Sequence, residues 1–139
     1  MIKENYLYFA EQRVETGNSA AVGAQKGGGG GIPGCDPEAA LLPVSSYLGL
    51  DIATNTVSLK FKSANGHTNN TIIALTCDTA NIKKVIEAST KIMNSYPHAS
   101  GFVVFADAES LSDKKPEFHP LLEGLVTDVA ITDGHICGT

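Results

Sequence analysis

Residues 57–76 read VSLKFKSANGHTNNTIIALT, and the fold class follows from how this stretch is read. Val57, Leu59 and Phe61 alternate with Ser58, Lys60 and Lys62. That is the two-residue period of a strand with one face on a core and the other in water. Asn65-Gly66 is the dipeptide best suited to a hairpin tip, because a tight primed turn needs positive φ at its centre. TIIALT at 71–76 then supplies the returning strand. The expectation is a β-hairpin.

Working outward from it, residues 79–94 carry the helical period. Ile82, Val85, Ile86, Ser89, Ile92 and Met93 form one stripe, with Asp78 or Thr79 available as cap and Pro97 just beyond the end. Lys83, Glu87 and Lys91 lie on the opposite side at i, i+4, i+8, which reads as a solvated face rather than a row for phosphates. GFVVFAD at 101–107 is a continuous apolar run, expected as a central strand buried on both sides. Residues 108–125 are a polar loop with a helical turn near Leu121–Leu125. VTDVAIT at 126–132 alternates again, with Thr127, Val129 and Ile131 expected on one side. Upstream, NYLYFAE at 5–11 is a first strand. Small, turn-rich sequence then runs to Pro43, where Pro33, Pro37 and Pro43 exclude a long helix. The whole predicts one α+β domain over residues 1–139, with 17–43 a Gly/Pro-rich arm or insertion. Its architecture is a small curved, mostly antiparallel sheet, or a partly open barrel, with one helix on one face or end.

The bulk composition excludes several classes. A chain of 139 residues with 42% hydrophobic content can bury a core unaided by metal or disulfide. The net charge is −5, and Arg13 is the single arginine, which weighs against a dedicated nucleic-acid binder. Cys35, Cys77 and Cys137 are odd in number and widely spaced, so they read as idle thiols in a reducing compartment. MIKENYLYFAEQ has no apolar leader region, and no stretch is long enough to span a bilayer, so the expected protein is soluble, without a membrane partner.

Residues 24–37, AQKGGGGGIPGCDP, contain a formal dinucleotide fingerprint at Gly29, Gly31 and Gly34, with Asp51 downstream. The context fails: such a site needs a strand before the glycines and a helix opening at the third, and Pro33 and Pro37 interrupt both. Lys26 precedes the glycines, on the wrong side for a Walker loop. Asp133, His135 and Cys137 could together ligate a metal, but their Gly-flanked terminal position reads as a frayed tail. No nucleophile, base and orienting group can be assembled, so neither catalytic residues nor a cofactor is expected. Ordering a pentaglycine run costs roughly 1–2 kcal/mol per residue with no side chain to offset it. Gly27, Gly28, Gly29, Gly30, Gly31, Ile32 and Pro33 are therefore expected to gain structure only from neighbouring protein, as an interface arm.

Five segments together, YFAEQRVETGNSAAV, LLPVSSYLGLD, TVSLKFKS, KKVIEASTKIMNS and GFVVFADAES, resemble a large family of small marine proteins attributed to phages of cyanobacteria and related ocean bacteria. The resemblance spans Tyr8 to about Thr132, with the glycine-rich 27–34 as an insertion beyond the typical member. It implies an Sm-like small β-barrel of the kind that assembles into homo-oligomeric rings, and it carries over no catalytic residue. Two functions follow as expectations. One is a non-enzymatic virion structural protein, a small oligomeric decoration or cement-type subunit that partners with itself and a capsid protein. It would be located in the virion and, during assembly, in the host cytoplasm. The other is an Sm-like ring binding RNA or single-stranded DNA, with Lys60 and Lys62 on the hairpin, Asn65 and His67 at its tip, and Tyr6 and Tyr8 for stacking. The charge balance favours the first.

Overall fold

The computed structural model describes residues 4–12, 39–63, 70–95, 100–110 and 115–132. In chain order these form β1 (Tyr6–Ala10), β2 (Ala39–Pro43), β3 (Tyr47–Ala53), β4 (Thr56–Phe61), β5 (Thr71–Cys77), helix α1 (Ile82–Met93), β6 (Phe102–Asp107), β7 (Glu117–Phe118) and β8 (Val126–Thr132). The protein is thus α+β with sheet dominant. The strands divide between two four-stranded sheets: sheet I, in the order β2-β1-β6-β7, and sheet II, in the order β3-β4-β5-β8. All the pairings are antiparallel except β1 with β6, which run parallel. Two unclosed sheets stand where a single curved sheet or a partly open barrel was expected.

The alternating run behaves as its period requires. Val57, Leu59 and Phe61 of β4 are fully buried, and β5 returns antiparallel with Leu59 opposite Ile73. The Asn65-Gly66 tip lies outside the described residues. A second hairpin precedes this one: Ala53 pairs with Thr56 across a two-residue turn, Thr54-Asn55. No described non-glycine residue has positive φ, so this turn is not of the primed kind and lacks its favourable twist. Tertiary bonds hold it instead. The Thr79 hydroxyl donates to the Thr54 carbonyl at 2.6 Å, and the Cys77 N–H to the Asn55 carbonyl at 2.9 Å. Thr79 therefore serves the turn. Neither it nor Asp78 makes a side-chain cap to a helix; a 3-10 turn over Thr79–Asn81 leads into α1.

The core fills the space between the sheets. Leu7, Phe9, Leu42 and Phe105 come from sheet I, Leu59, Phe61, Ile73 and Leu75 from sheet II, and Val85 and Ile92 from α1. Phe9 joins the layers, its ring 5.8 Å edge-on from Phe61 and 4.8 Å from Phe105. The stripe expected on α1 is buried or half-buried, and Ala88 joins it.

On β8 the expected inward set is altered by a bulge. Thr76 faces Asp128 and Cys77 faces Val126, leaving Thr127 as an extra residue. The alternation flips there, so Val126, Val129 and Ile131 are buried while Thr127 is exposed.

A corner of three residues carries the chain from one sheet to the other. Val44–Ser46 form a 3-10 turn between β2 and β3. The Glu4 carboxylate accepts from the Ser45 N–H at 2.9 Å and the Ser45 hydroxyl at 3.1 Å, while the Asn5 carbonyl accepts from the Val44 N–H. Beside it, Gly101 opens β6 at φ 73°, where an added Cβ would lie 3.3 Å from the Glu4 carbonyl oxygen. The strand at 39–43 falls within the stretch expected as an arm; the rest of 17–43 lies outside the described residues.

Candidate interaction surface

On β1 the alternation that buries Leu7 and Phe9 sends Tyr6 and Tyr8 to the other side of sheet I. Their ladder partners follow. Tyr6 lies between Pro43 and Phe102, and Tyr8 between Leu41 and Val104. Over these two rows the outer face of three neighbouring strands thus consists of six side chains, none of them charged. Tyr6, Leu41 and Phe102 are 43%, 49% and 48% exposed. The Tyr8 and Phe102 rings stand 5.6 Å apart, tilted by 40°. One row further along, Ala10 and Asp107 are buried, and only Ala39 at the β2 edge stays exposed. The expectation that 101–107 would be covered on both sides is corrected at Phe102. The inner residues Val103 and Phe105 are buried, but no described layer covers the outer side there.

Sheet II is more polar on its outer face, although Leu48 and Ile52 on its edge strand β3 are 50% and 55% exposed. Its outward positions include Asp51, Ser58, Lys60, Thr76, Asp128 and Thr132, and Lys60 Nζ pairs with Asp51 Oδ2 at 2.6 Å. One solvated polar face is the ordinary condition of an antiparallel sheet, and sheet I departs from it.

The edges of the sheets differ in the same sense. β7 is two residues long, β3 is broken by a bulge between Tyr47 and Gly49, and the Glu11 carboxylate accepts the Ile131 N–H on β8. Those are common ways of blunting an edge. β2, sequence AALLP, has no charge and carries only a terminal proline.

This arrangement divides the residues expected to contact nucleic acid. Tyr6 and Tyr8 share the outer face of sheet I. Lys60 faces outward from sheet II, across the core, and is engaged by Asp51. Lys62 is exposed just past β4. Asn65 and His67 lie outside the described residues, as do Gly27–Pro33 of the expected arm and the Asp133, His135 and Cys137 set. Leu41, Pro43, Phe102 and Val104 were not anticipated. A signal was present: NYLYFAE and GFVVFAD are apolar on both faces, and one helix cannot cover both sides of two sheets.

Among the described residues no group of three or more His, Cys, Asp and Glu is placed to hold a metal. Asp107 and Glu109 are buried where β6 ends, and Asp107 Oδ1 accepts the Glu109 N–H at 3.0 Å, a local turn closure. Burial, with the Asp78 carboxylate second, pushes the Cys77 thiol above its ordinary 9.0. No helix among the described residues is long and apolar enough to cross a membrane. Comparison with known proteins finds no matching protein-family model, no matching curated protein and no matching solved structure.

Proposed function

We propose that this chain is a non-enzymatic structural subunit of a phage virion, a decoration or cement-type component used in many copies. The observation that carries the reading is the uncharged stretch of the outer face of sheet I around Tyr6, Leu41 and Phe102. A surface of this composition suits contact with another protein surface and offers little to a polar substrate. The assignment to a phage rests on the sequence resemblance alone. Mass spectrometry of purified virions tests it: the protein should appear at near-stoichiometric abundance with the major shell protein, and its absence from the particle ends the reading.

A second reading, an Sm-like ring that binds RNA or single-stranded DNA, is favoured by one observation, the exposed Tyr6, Tyr8 and Phe102 on a single sheet face. Base stacking on such rings contributes about 1–3 kcal/mol per base. The partly open Sm-like barrel belongs with this reading. The parallel β1–β6 pair and the division into two sheets weigh against it, as does the separation of Lys60 from the tyrosines. Oligonucleotide binding at about 50 mM salt, falling steeply as salt rises, is its requirement.

A further inference from the structure

We propose that α1, weakened by a lysine-bearing first turn and an unpaired buried serine, melts as a unit between two tethered ends while both sheets stay paired. The protein then has a second, partly open state built into its fold. This device is independent of the virion reading and of any partner.

The helix is poorly supported by its own residues. Among its 12 residues, Ile82, Val85, Ile86, Thr90 and Ile92 are β-branched, and Ala88 is the one alanine. β-branched side chains lose rotamer freedom against the preceding turn, and a segment of about 12 residues is marginal as a helix by itself. The first turn has no acidic residue; Lys83 and Lys84 stand there, their charge set against the positive end of the helix dipole. Thr79, a natural cap, donates instead to the Thr54 carbonyl, and Asn81 at the cap position makes no side-chain bond to the helix. Opposing these defects, Glu87 precedes Lys91 in the favourable i, i+4 order, and Lys91 sits in the last turn, both small effects.

Packing therefore has to hold α1, and it carries a flaw. Val85, Ala88 and Ile92 are buried, but so is Ser89, whose hydroxyl has no hydrogen-bond partner among the described residues. Such a group forfeits the bonds that water would give it and regains them when the helix opens. The two sheets hold each other through contacts that bypass α1. Phe9 meets Phe61, the Glu11 carboxylate accepts the Ile131 N–H, and Glu4 clamps the corner at Ser45. The ends of the segment are tethered as well, Thr79 to Thr54 and Ser95 to the Asn5 amide at 3.3 Å. What can give way lies between those tethers. Local opening there bares the apolar inward side of β4, against which α1 packs.

Native-state hydrogen exchange of the full chain, followed by NMR at rising urea below the unfolding midpoint, tests this. Amides from Ile86 to Met93 should exchange through one common opening, with protection at least about 100-fold below that of Leu59 and Ile73 and a weaker dependence on urea. Ser89→Ala removes the unpaired hydroxyl and should raise protection across α1 at least about fivefold. Lys84→Glu, at an exposed position in the first turn, should raise it about twofold or more. Circular dichroism checks that both variants keep the native fold. Protection across α1 equal to that of Leu59 and Ile73, lost only with global unfolding, overturns the proposal. Scattered rates with no shared urea slope overturn it too, because the helix then frays and does not open as a unit. A weakly protected α1 that neither variant tightens overturns the cause assigned to its opening.

Discussion

Phe9 is the side chain on which the two sheets meet, with Phe61 on one side and Phe105 on the other. It is fully buried, so Phe9→Ala removes a ring from both aromatic contacts and leaves a cavity between layers. The expected loss is about 3–5 kcal/mol, read as a fall in the urea midpoint, and a loss below about 1 kcal/mol would mean the layers collapse onto the gap. Cys77 gives a pH-dependent prediction at the same scale. Its thiol pKa is raised in the folded state by burial first and by Asp78 second. An acid with a raised folded pKa contributes stability that is present below the unfolded value and lost as pH climbs through the folded one. Unfolding midpoints should therefore drop as pH rises past about 9, and Cys77→Ala should flatten part of that slope. At pH about 8 the native thiol should resist iodoacetamide, peptide mapping distinguishing it from Cys35 and Cys137.

At the scale of elements, what could be read in the sequence depended on whether the determining force was local. β4 and β5 were legible because Val57, Leu59 and Phe61 alternate against lysines and serine. α1 was legible because its stripe repeats at helical spacing. The Thr54-Asn55 turn was not, because nothing in those two residues specifies a tight hairpin; Thr79, more than twenty residues on, specifies it by donating to the Thr54 carbonyl. Thr79→Val should cost about 1 kcal/mol, leaving that carbonyl without its hydroxyl partner. Thr90→Ala, which removes a hydroxyl bonded to the Ile86 carbonyl within α1, should be near neutral. Chemical denaturation of the two variants side by side checks the contrast. Equal effects would mean the turn holds without help. β2 escaped for a related reason: AALLP has no alternation, and its strand character comes from pairing Leu42 with Leu7 and Leu41 with Tyr8. The flip on β8 is a further case, since Thr127 becomes the bulged residue only through the register of its partner strand.

Across the whole molecule, the two outer faces differ in chemistry. One presents Asp51, Lys60 and Asp128, the other Tyr6, Leu41 and Phe102. Two of the six residues of the second face were visible in the sequence as Tyr6 and Tyr8, chosen there as stacking residues. The other four came from β2 and β6, whose alignment with β1 no linear pattern reveals. The parallel pairing of β1 with β6 has a kinetic consequence. Tyr6 pairs with Phe102, roughly a hundred positions away, whereas β3, β4 and β5 meet their partners across short connections. Closing the longer loop costs more entropy before any contact rewards it. Sheet II should thus form the nucleus and sheet I condense onto it late. Leu59→Ala should mainly slow refolding, while Leu7→Ala should mainly hasten unfolding, a split that stopped-flow chevrons resolve. On a translating ribosome the first strand, even once the second lies beside it, must keep its other edge unpaired until the sixth has emerged.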